Sequence, residues 1–62
     1  MTLTEANQLS ATVSASPTYP VRTATICGGV MDGEYNVALH LWDGAIVLAA
    51  APDDTALVVH NV

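Results

Sequence analysis

Two histidines (His40, His60), one cysteine (Cys27) and six carboxylates are the side chains best suited to chemistry in this 62-residue chain. Their spacing decides what they can do. No C-x-x-C or H-E-x-x-H pattern is present, so no local metal site is encoded. If His40 and His60 sit in one cross-strand row of a meander, with Val47 on the strand between them, two strand spacings separate them by about 10 Å. That is too far to share an ion whose ligands lie about 2 Å away. Ligation across a subunit interface is the one metal arrangement left. Cys27 precedes Gly28-Gly29 and has no base or cation in its local sequence to form a thiolate. It reads as a small apolar residue at a strand end. Asp32, Glu34, Asp53 and Asp54 fall where turns are expected, and aspartate there commonly bonds the local backbone. Ser10, Ser14 and Ser16 have no nucleophile-elbow context. No residue is therefore assigned as catalytic or metal-binding, and no cofactor is expected.

Gly28 and Gly33 have the glycine spacing of a phosphate-binding loop. Glu34 stands where that loop needs lysine, which reverses the charge a phosphate requires. Gly28-Gly29-Val30 also fails the dinucleotide fingerprint. These glycines read as a connection between strands.

Bulk charge narrows the partners further. The net charge is −5, with no lysine and one arginine, Arg22. Nucleic acid is excluded, because neutralising phosphates takes several cations. An anionic membrane surface is excluded for the same reason. The longest apolar run, Ala45 to Ala51, is far short of the ~20 residues of a membrane span. No signal peptide is visible, so a soluble protein, cytoplasmic or virion-associated, is expected.

The elements that must position these side chains follow from periodicity. Thr2-Leu3-Thr4-Glu5 has capping-box spacing and predicts a helical turn over residues 1–8. From Leu9 to Ser16 apolar and polar residues alternate strictly. That favours a strand or extended arm, with the Leu9–Val13 helical spacing as the competing pattern. Pro17 and Pro20 impose an extended or turning linker. Val21 to Cys27 reads as a strand. Its Val21, Thr23, Thr25 and Cys27 lie on one face, with Arg22, Ala24 and Ile26 on the other. Glu34 to Trp42 is the next strand. Asp43-Gly44 predicts a two-residue type I′ turn. Ala45 to Ala51 returns, Pro52-Asp53-Asp54 turns again, and Thr55 to Asn61 is a last strand.

The expectation is one small, mainly β domain over 1–62. An N-terminal arm or short helix plus linker covers 1–18. A β-meander or small open barrel of four to five strands covers 19–62. A two-residue turn pairs Leu41 with Ile46, His40 with Val47 and Leu39 with Leu48. Val37, Leu39, Leu41, Ile46, Leu48, Leu57 and Val59 then share one apolar face. Ala38, His40, Trp42, Val47, Ala49, Val58 and His60 share the other. That second face is also largely apolar, although a half-buried meander should have one polar face.

We take the second face as the candidate interface, with Trp42, His40, Val47, Val58, His60 and Tyr35 as its residues. Aromatic side chains such as Trp42 are frequent interface anchors. The alternation of Val37, Leu39 and Leu41 before an Asp-Gly turn, after an N-terminal helical turn, resembles an Sm-like small barrel. That family's glycine and its RNA-facing basic residues are absent here, so its function is not carried over.

The composition yields three functional readings. A chain this short has a marginal core and no second cysteine for an internal disulfide, so self-assembly or docking is the remaining support. The first reading is a non-enzymatic structural or assembly protein, acting as a homo-oligomer or on a larger complex; a small phage decoration or accessory capsid protein is its concrete form. The second is a small binding or inhibitory module that docks on a host or partner protein by an edge strand or the Trp42 face. The third is a metal-dependent enzyme assembled at subunit interfaces, with His40, His60 and Cys27 supplied by different chains.

Overall fold

A computed structural model describes residues 1–16 and 18–54. Within them one helix, α1 (Leu3–Ala15), precedes three strands, β1 (Val21–Cys27), β2 (Asn36–Leu41) and β3 (Ile46–Ala49). The strands form one antiparallel sheet in the order β1-β2-β3. This is a mostly β arrangement with an N-terminal helix. The strand expected over 55–61 lies outside the described residues.

The helix starts where the capping box predicts. Thr2 Oγ1 accepts the Glu5 N–H at 3.1 Å, and Glu5 Oε1 accepts the Thr2 N–H at 2.9 Å. Two otherwise orphan donors are thereby satisfied. The extended arm expected over 9–16 is corrected, because the helix continues to Ala15. Alternation and helical spacing competed there, and the capped helix with its tertiary stripe prevailed. Ala6, Leu9 and Val13 are buried, one stripe at helical spacing. Thr12, a weak helix former, bonds its hydroxyl to the Gln8 carbonyl one turn back at 2.8 Å. Ser16 ends the helix in an extended conformation, as the residue before a proline should.

Ala6, Leu9 and Val13 pack on one face of the sheet with Val21, Val37, Leu39, Leu41 and Ala49. Leu39, Val13 and Val37 are the largest side chains fully enclosed. α1 lies mainly against β1.

Two registers differ from expectation. The pairing of β1 with β2 shifts between Val21 and Thr23. Arg22 is the extra residue of this bulge, so Val21 turns to the face of Ala24 and Ile26 and joins the core. The second difference lies in the hairpin. His40 pairs with Ile46, Leu39 with Val47, Ala38 with Leu48 and Val37 with Ala49. This is one residue away from the expected register. A type I′ turn would need positive φ at both Asp43 and Gly44. Of the two, Gly44 alone has it, at +93°, and among the described residues no non-glycine residue has positive φ. The chain instead makes a turn with Gly44 N–H donating to the Leu41 carbonyl at 3.1 Å. Leu41 N–H donates to the Ala45 carbonyl at 2.8 Å. This three-residue loop with a bulged glycine spares Asp43 the left-handed region, and Asp43 Oδ1 accepts the Ala45 N–H at 3.0 Å.

A one-residue slip moves every side chain of a strand to the other face. Val47 and Ala49 therefore face the helix, and Ile46 and Leu48 face away.

Candidate protein-interaction surface

The sheet face opposite α1 includes two cross-strand rows, with the Cys27–Asn36 pair beyond them and the exposed Arg22 at the bulge beside Thr23. One row is Thr23, His40 and Ile46; the other is Thr25, Ala38 and Leu48. Residues paired across antiparallel strands share a face, so each row projects together. Ile46 and Leu48 are 59% and 65% exposed. His40, half-buried between Thr23 and Ile46 in its row, has its Nε2 3.4 Å from Thr25 Oγ1. Neither row holds a carboxylate, a lysine or an arginine. Covering an exposed leucine or isoleucine releases about 1.5–3 kcal/mol when burial is complete. The face is chemically suited to protein contact.

The expected interface residues separate. His40 lies on this face. Trp42 lies in the hairpin loop with its side chain 71% exposed, while its backbone N–H donates to the Pro20 carbonyl at 3.3 Å. Val47 is placed differently: it packs against the core on the helix side, because the bulged glycine shifts the register. Tyr35 is half-buried against the same core, and its backbone N–H bonds the Met1 carbonyl at 2.9 Å. Val58 and His60 lie outside the described residues. Ile46 and Leu48 were missed as exposed residues; the signal was Gly44, which also fits a three-residue loop.

The carboxylates have local structural work. Besides Glu5 and Asp43, Asp32 Oδ1 accepts the Leu3 N–H at 2.9 Å, and Glu34 Oε2 accepts the Val30 N–H at 3.2 Å. Asp54 Oδ2 accepts the N–H groups of Ala50 and Ala51 at 2.9 and 3.0 Å. Glu5, Asp32, Glu34, Asp43 and Asp54 thus each hold a loop or helix end by its backbone. The Thr2 backbone N–H, and then the Thr2 side chain, hold the Glu5 carboxyl below the usual glutamate range. Glu34 also explains Gly29: any side chain there would collide with Glu34 Cβ and its carboxylate. The glycine loop is closed by its own acid.

Cys27 is exposed, its Sγ directed to the Thr25 carbonyl at 3.9 Å. Among the described residues, no three His, Cys, Asp or Glu side chains stand close enough to hold a metal. No helix among them is long and apolar enough to cross a membrane. An open groove of about 210 Å³ lies between α1 and the turn at Pro52, lined by Glu5, Gln8, Leu9 and Thr12. It falls below the ~300–1,000 Å³ of ordinary small-molecule sites.

No protein-family model, curated protein or solved structure matches this chain.

Proposed function

We propose that this chain is a non-enzymatic assembly module that associates with further copies of itself through the sheet face opposite α1. The observation carrying this reading is the exposure of Ile46 and Leu48 on a face whose two rows hold no carboxylate, lysine or arginine. The absence of lysine bears on the sheet edges, where lysine is a main device against pairing with other chains, and leaves edge-to-edge association open beside the face. A face three strands wide and about six residues long covers roughly 300 Å². Stable interfaces bury about 1,200–2,000 Å² in total. Self-association through this face alone is therefore weak and concentration-dependent. The fuller sheet of four to five strands, or an open barrel, is part of the proposal and rests on the apolar alternation of residues 55–61.

Trp42 favours one second reading. A tryptophan 71% exposed at a hairpin tip is suited to anchor a different protein. Sedimentation velocity over a concentration series separates the two. Association of the pure chain that is lost in Leu48→Ser, with Trp42→Ala unaffected, supports self-assembly through the face. A monomer at every concentration overturns it and leaves the Trp42 reading.

A further inference from the structure

We infer that the association of this chain runs head to tail, with Val30 and Met31 of the loop between β1 and β2 seated on the open sheet face of the next copy. The inference rests on the self-assembly reading above and names the surface that covers the face.

The loop spans residues 28–35. Within it Val30 is 99% exposed and Met31 66% exposed. The backbone that carries them is braced from several sides. Glu34 Oε2 accepts the Val30 N–H, and the Glu34 N–H donates to the Met31 carbonyl, both at 3.2 Å. Asp32 Oδ1 ties the loop to the start of α1 through the Leu3 N–H. The Tyr35 ring lies so close to Gly28 that a Cβ there would come within 3.1 Å of it. Two apolar side chains are thus presented to solvent on a preformed support, which lowers the ordering cost of binding.

This loop and the open face are complementary. The face offers Ile46 and Leu48, with the chain's one basic side chain, Arg22, exposed at the bulge beside it. The loop offers Val30 and Met31, flanked by the exposed carboxylates of Asp32 and Glu34. Apolar groups therefore meet apolar groups and opposite charges meet at the rim. Within one chain the two patches stand apart. Five residue steps along β1 place Arg22 about 17 Å from Cys27, where the loop begins. That is beyond a direct ion pair, so the match is open to a second copy.

Area favours the same arrangement. Two open faces stacked on each other would bury about 600 Å² in total, half of the ~1,200 Å² at which stable interfaces begin. They would also leave Val30 and Met31 in water. A head-to-tail contact covers both patches of every chain. Joining unlike surfaces generates an open chain or a ring, not an isologous dimer.

Two half-blocked variants test it. Val30→Ser/Met31→Ser keeps the face, and Ile46→Ser/Leu48→Ser keeps the loop. All four residues are exposed, so both urea midpoints should match the parent's. Sedimentation velocity compares each variant alone with their equimolar mixture, at concentrations where the parent associates. Each variant alone should associate at least about tenfold more weakly than the parent. The mixture should form a dimer and nothing larger, because one chain supplies the face and the other the loop. Arg22→Glu should weaken the parent's association by about threefold or more at low salt. Unchanged association in that variant overturns the part given to charge. A loop variant that associates as the parent does overturns the head-to-tail contact and leaves self-assembly through the face standing. A mixture that stays monomeric overturns it equally. A parent chain that is monomeric at every concentration overturns the self-assembly reading itself, and this inference with it.

Discussion

The two faces of the sheet are made from the same three strands and differ in what fills them. Towards α1 lie Val37, Leu39, Ala49 and the half-buried Val47, enclosed with Ala6, Leu9 and Val13. Away from it lie Ile46 and Leu48, larger than the alanine and valine turned inward, and both exposed. Burial alone would have chosen the opposite register. The bulged Gly44 loop fixed the register instead, sparing Asp43 a left-handed backbone. Local turn geometry has left apolar surface outside, and that surface gives the chain its candidate function.

The comparison can be broken hardest from the covered face. Leu39→Ala removes the largest fully enclosed side chain and should cost about 2–5 kcal/mol. Total stability at this length is of the order of 3–9 kcal/mol. Urea titration followed by circular dichroism should show the unfolding free energy lowered by that amount, which leaves little or none at the lower end of the range. A loss under about 1 kcal/mol would mean that the helix-side packing is not the core. Gly44→Val attacks the hinge between the faces. A β-branched residue at φ +93° is strained, with an expected cost of about 1–2 kcal/mol. An unchanged urea midpoint would show that the loop has an alternative geometry.

Thr2→Ala sharpens the account of the covering helix. Losing the cap should cost about 0.5–2 kcal/mol, lowering Tm by about 4–8 °C for each kcal/mol. A pH series tests the other half of the capping box. The Glu5 carboxyl is held below its usual range by the Thr2 N–H. Its contribution is fully present above the unfolded glutamate value, about 4.3, and is lost as pH falls through the lower folded value. Glu5→Gln should therefore lose less stability than the parent chain on acidification from about pH 5 to pH 3. Identical acid profiles would remove Glu5 from the helix account.

Parts of this were legible in the sequence for clear reasons. The capping box is a spacing of two residue types, and its bonds are local. β1, β2 and the return strand follow from alternation and turn residues. Residues 9–16 read as an arm from sequence because Leu9 and Val13 satisfy two periods at once, and only the sheet beneath them decides. Asp43-Gly44 fits both a two-residue and a three-residue loop, and the difference of one residue reassigns an entire strand face. Val47 was therefore expected outside, and Ile46 and Leu48 inside. The acids were read as turn residues, and the backbone bonds of Asp43 and Asp54 are of that kind. The bond from Leu3 N–H to Asp32 spans distant sequence and could not be read from it.

The central claim is that the open face is made to be covered by another copy, and the Ile46→Ser/Leu48→Ser double variant tests it most directly. Both residues are exposed, so the monomer's stability should move by no more than about 0.5 kcal/mol for each change. Sedimentation velocity of the two chains side by side, from micromolar to millimolar concentration, is the measurement. The account predicts that the parent chain associates as concentration rises and the double variant stays monomeric with a similar urea midpoint. A parent chain that stays monomeric throughout, or a double variant that associates equally well, would contradict it.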